Sequence, residues 1–162
     1  MGDRISVTKS ADPSGWRAGA QRLVSRQRPA LSRGSGRFAI ALVLRLAAVA
    51  LLAWIGYVHW HLWQEGYRDI HINGPFFLAD AIVAIGFAVL LLAWPRPPVG
   101  LLAALFTAST IGGLVISLAV GLFGFHESIS ASYVVESLVL ESLTVVILAI
   151  WTVLAATAVT RR

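Results

Sequence analysis

Apolar side chains dominate four long runs, at about 38–59, 75–94, 99–123 and 133–159. Each is long enough, at 1.5 Å per helical residue, to cross a hydrocarbon core of about 30 Å. The pattern predicts an all-α fold, a four-transmembrane-helix bundle occupying residues 38–160. Pro95-Arg96-Pro97-Pro98 breaks the helix between the second and third runs. Gly74-Pro75 suits a helix start, and Gly121 and Gly124 suit the end of the third helix. Inside the third run Thr110, Gly113, Ser117 and Gly121 fall on one helical stripe, where small side chains let a neighbouring backbone come close. The fourth run has a polar stripe of its own, Ser137, Glu141 and Thr144.

Composition agrees with lipid as the solvent. Of 162 residues, 57% are hydrophobic and 13% charged, more apolar surface than a soluble domain of this size can cover. Eight of the thirteen Lys and Arg lie within residues 1–37, among them Arg33 and Arg37. That segment is rich in Ser, Gly and Ala, shows no sustained apolar period, and reads as a disordered basic cytoplasmic tail. Near anionic headgroups each basic residue contributes about 1 kcal/mol of attraction. The first apolar run is too long for a signal peptide and lacks a small-x-small cleavage site, so it is expected to be retained. There is no cysteine, which excludes disulfides, thiolate metal sites and cysteine nucleophiles.

Charge sets the expected orientation. With the tail inside, Arg96 and Arg161-Arg162 also fall inside, and Arg68 alone lies in an outer loop. The expected location is therefore the plasma membrane, multi-pass, with both termini cytoplasmic. Arg45 sits about 10 Å into the first helix, where its side chain leans toward the cytoplasmic headgroups and snorkels. A buried Arg45–Glu141 pair is the competing arrangement.

Every acid after residue 37 and every histidine falls in the outer half. Helical side chains lean toward the helix N-terminus. Asp80 and Glu141, on helices that begin outside, lean outward; His59, on a helix that ends outside, leans inward. These three converge just below the outer interface, with His126 and Glu127 overhanging them. The candidate ligand or metal set is His59, His61, His71, Asp80, His126, Glu127, Glu136 and Glu141. Imidazole with carboxylate suits a transition metal, but His59 and His61 are about 200° apart on a helix and share an ion only if the helix ends between them. A haem between His59 and His126 is a weaker alternative. Proton relay across the membrane lacks titratable groups in the inner half apart from Arg45. Trp54, Tyr57, Trp60, Trp63 and Tyr67, with Phe76, Phe77, Phe123, Phe125 and Tyr133, read first as an interfacial aromatic belt and second as the walls of a ligand pocket.

His59 to Trp63 (HWHLW), Gly66-Tyr67-Arg68, Ile70, Gly74-Pro75-Phe76-Phe77-Leu78 and Gly121-Leu122-Phe123-Gly124-Phe125 carry a resemblance to uncharacterised small four-helix integral membrane proteins of high-GC actinobacteria. It covers residues 40–155 and implies membrane location and a four-helix layout, with no activity or cofactor. The leading expectation is a non-enzymatic structural or accessory membrane component without a cofactor. Its expected partners are bilayer lipid and another membrane protein or copy of the chain, not nucleic acid. An outer-face metal- or ligand-binding subunit of a transport or redox assembly is the first alternative. An ion-conducting oligomer is the second.

Overall fold

The computed structural model describes the backbone of residues 13–159 and the side chains of residues 36–158. Its elements are α1 (Pro13–Gln64), a short 3-10 turn (Tyr67–Asp69), α2 (Asn73–Ala93), α3 (Pro97–Ala119) and α4 (Val134–Val159). The described residues are helical and form no strand. Four stretches, Gly36–Gln64, Asn73–Ala93, Pro97–Ala119 and Val134–Ala158, are long and apolar enough to cross a membrane, which makes this a multi-pass membrane protein. The chain divides into two units, Met1–Ala39 and Ile40–Arg162, and the packing described below belongs to the second. The α1 backbone begins at Pro13 and so runs through most of the basic segment, where hydropathy alone assigns no element. The side chains of Arg33, Arg161 and Arg162, expected at lipid headgroups, lie outside the described residues.

A seam of buried positions at alternating three- and four-residue steps runs along the helices. On α1 it comprises Ala48, Leu52, Ile55, His59 and Leu62; on α2, Ala81, Ala84, Ala88 and Leu91; on α4, Val134, Ser137, Glu141, Thr144, Leu148 and Trp151. An average step of 3.5 residues keeps a seam facing its neighbours in a left-handed bundle. Large apolar residues such as Ile82, Val89, Leu101, Leu105, Val139 and Val153 point out of the bundle. Since lipid tails are as apolar as Leu, association rests on close packing and interhelical polar contacts rather than hydrophobic drive. The closest approach is at Gly100 of α3, where a Cβ would lie 2.5 Å from Thr152 Oγ1 and 2.6 Å from the Trp151 ring. Around it Leu52, Leu91, Ala103, Leu148 and Trp151 form a dry core at the end of the bundle that carries Arg96.

The connectors at the other end are shaped by specific backbone needs. Gly74, at the start of α2, has Arg68 O 2.6 Å from where a Cβ would stand, so only glycine lets the 3-10 turn lie against this helix. Helix α2 begins at Asn73, and Pro75 therefore stands inside its first turn rather than at its first position. Helix α3 stops at Ala119, short of the expected end near residue 123, and Gly121 (φ 83°) closes it with an N–H on Ile116 O. Gly124 does a different job. Leu122 and Phe125 exchange backbone hydrogen bonds of 2.7 and 2.9 Å around Phe123 (φ 53°) and Gly124 (φ 82°). Positive φ at both central residues is the mark of a tight type I′ turn.

Candidate ligand pocket

The buried seam changes character along its length. At the Arg96 end it is Ala, Leu and Trp; toward the connectors it becomes His59, Glu141, Ser137, Thr144, Thr107 and Ser117. There the four helices enclose a pocket of about 380 Å³. Helix α1 contributes His59 and Leu62, α2 Asn73, Phe77 and Asp80, α3 Thr110, Gly113 and Ser117, and α4 Ser137 and Glu141. A Cβ on Gly113 would meet nothing within 4 Å. The stripe Thr110–Gly113–Ser117, expected to bring two backbones together, borders this space instead, and the tight contact falls at Gly100. Gly121 belongs to the turn after α3.

His59 is held from behind. Its Nδ1 lies 2.9 Å from the Ile55 carbonyl oxygen, which only accepts, so Nδ1 carries a proton and donates it. Nε2 thereby faces the pocket, 3.8 Å from Glu141 Oε1 and 3.9 Å from Asp80 Oδ2. Both distances suit ion pairing but exceed a hydrogen bond. Phe77 packs on the imidazole with ring centroids 5.5 Å apart. Glu141 is 2% exposed, and among the described residues its Oε2 has no hydrogen-bond partner.

The rim is built from the two connectors. Tyr67 donates its hydroxyl proton to Glu127 Oε2 at 2.8 Å, and the Ser128 N–H donates to Glu127 Oε1 at 3.0 Å. The Glu127 N–H returns to Ser117 O at 3.2 Å, tying the second connector to the end of α3. The Tyr67 ring packs against Phe77 at 4.4 Å and meets Phe125 edge-on at 5.9 Å. Burial, then the hydrogen bond to Glu127 and the charge of that carboxylate, push the Tyr67 phenol well above its ordinary range.

Of the eight residues expected at a site, the fold gathers four: His59, Asp80 and Glu141 face one another, and Glu127 lies at the rim. The others go elsewhere. Because α1 continues to Gln64, His61 points away from His59; it pairs with Glu65 at 3.2 Å and stacks on Tyr57. His71 and His126 are exposed, and Glu136 accepts from Trp54 Nε1 at 2.9 Å. Among the described residues no three His, Asp or Glu are arranged to hold a metal ion. Glu141 meets His59 and not Arg45, whose Nε is buried without a partner among the described residues.

Tyr67 and Phe77 stand in the sequence as belt aromatics, yet here they are walls of the pocket. Asn73 carries no sequence signal at all. Trp54 and Trp60 remain exposed, as an interfacial belt requires. No family model matches the chain, and comparison with curated proteins and with solved structures likewise returns no match.

Proposed function

We propose that the protein is a non-enzymatic accessory component of the plasma membrane that holds a small ligand in the outer half of its bundle. One observation carries the reading: Glu141 Oε2 is buried at the pocket without a hydrogen-bond partner among the described residues, next to a histidine oriented from behind. A buried carboxylate oxygen without a donor costs free energy that a structural role leaves unrecovered. A ligand supplying that donor recovers it. The outward orientation follows from the basic residues: the 1–37 segment, Arg96 and Arg161-Arg162 fall on one side by the positive-inside rule, which leaves the pocket on the other.

The absence of cysteine makes the test direct. In whole cells, Ser137→Cys in the pocket is expected to react with a small membrane-impermeant thiol reagent added outside. Pro95→Cys, in the turn before α3, is expected to react only after permeabilisation. A Ser137→Cys protein that stays unlabelled from outside would sink the outer-pocket reading.

A further inference from the structure

We propose that the pocket takes an organic monocation: a protonated primary amine on a small aromatic or aliphatic body, with its ammonium between Asp80 and Glu141. This rests on the reading of the pocket as a ligand site and names the ligand's chemical class.

Charge decides the sign. Among the described residues the pocket is lined by three carboxylates, Asp80, Glu127 and Glu141, one imidazole, and no Lys or Arg. Glu127 is already satisfied by the Tyr67 hydroxyl and the Ser128 N–H. That leaves Asp80 and Glu141 to share His59. With both acids ionised, as an ammonium between them would favour, the three groups keep one net negative charge even when the imidazole is protonated. Ionised carboxylates only accept, so what Glu141 Oε2 lacks is a donor. His59 cannot fill that role at its present distance: one nitrogen is committed to Ile55 O and the other stands 3.8 Å from Oε1. An ammonium brings three N–H donors and one positive charge, and charge-assisted bonds to two carboxylates are among the stronger polar contacts.

Size and wall chemistry decide the rest of the molecule. At about 380 Å³ the pocket lies in the range of small-molecule sites, and a bare ion would leave most of it empty. Phe76, Phe77, Phe125 and Leu114 line it beside the acids. Their surfaces accept an apolar body, and ring faces attract a nearby cation.

The test uses the purified full chain in lipid nanodiscs and isothermal titration calorimetry with three probes. These are phenethylammonium, its uncharged counterpart 2-phenylethanol, and Zn²⁺ alone. Saturable binding of the ammonium is expected, at least tenfold tighter than the alcohol. Glu141→Gln and Asp80→Asn are each expected to weaken it at least tenfold, with Glu136→Gln, outside the pocket, unchanged. Tryptophan-monitored unfolding identifies any variant that has lost its fold, and Asp80, the more exposed acid, provides the milder substitution. Equal affinity for ammonium and alcohol would overturn the charge inference and leave the pocket reading standing. Zn²⁺ that displaces the ammonium and is lost in the same two variants would reassign the acids to a metal. No binding of any probe, with Ser137→Cys still labelled from outside, rejects the amine class alone; no binding and no labelling rejects both readings.

Discussion

The Tyr67 hydroxyl gives its proton to Glu127 across 2.8 Å and so joins two connectors distant in the chain. Burial and the neighbouring carboxylate both disfavour the phenolate, which makes the protonated form part of the folded state. The sign follows from linkage: the folded-state pKa lies above the ordinary value of 10.0, so the contribution is complete below about pH 10 and is lost as pH rises past it. In a Tyr57→Phe/Tyr133→Phe background Tyr67 is the one remaining tyrosine, and its phenolate absorbance is expected to appear only above the ordinary range. Glu127→Gln should bring that titration down. A normal titration near pH 10 in the folded protein would contradict the half-buried Tyr67–Glu127 contact.

At the scale of the element, glycines separate the places where helices touch from the places where they leave room. Gly74→Ala forces a Cβ into the Arg68 and Tyr67 carbonyls, and Gly100→Ala forces one into Trp151 and Thr152. Overpacking of this kind costs about 1–3 kcal/mol, with Gly74 at the upper end because backbone yields less readily than a side chain. Gly113→Ala meets open space, and helix propensity favours it by up to about 1 kcal/mol. Unfolding in mixed micelles should therefore rank Gly113→Ala at or above the parent and both other variants below it. A destabilised Gly113→Ala would return that stripe to a packing role. The seams themselves explain the arrangement, since residues at three- and four-residue steps stay on the inner face whether they are leucine or glutamate.

Across the whole molecule, polarity runs opposite to that of a soluble protein at one end and parallel to it at the other. The Arg96 end has a dry core of Ala, Leu and Trp, and the connector end has carboxylates and hydroxyls inside with apolar residues outside. The second arrangement is costly: two carboxylates share one imidazole, and Glu141 Oε2 stays unpartnered among the described residues. Binding sites commonly retain such costs. Glu141→Gln removes the buried charge while Asp80 remains to face His59, and it is expected to stabilise the bundle by about 0.5–2 kcal/mol even as it weakens ammonium binding. A less stable Glu141→Gln protein would mean that the pair with His59 outweighs the cost of burying the acid.

Hydropathy by itself determined that there are four spanning helices and about where they lie, because backbone polar groups in lipid leave few alternatives to a helix. The lean of side chains toward helix N-termini likewise predicted that His59, Asp80 and Glu141 meet at one level, since depth and lean depend only on chain direction. Rotation about each helix axis was beyond that reasoning. It took the packed bundle to turn Glu136 toward Trp54, and to set Thr110, Gly113 and Ser117 around a space rather than against a backbone. The ends of elements were legible only in part. Proline and glycine marked the breaks, but the turn around Phe123 and Gly124 depends on two residues at positive φ, and a phenylalanine gives no local sign of that. The pocket exists because residues far apart in the chain meet at one depth; their types were visible beforehand, their shared space was not.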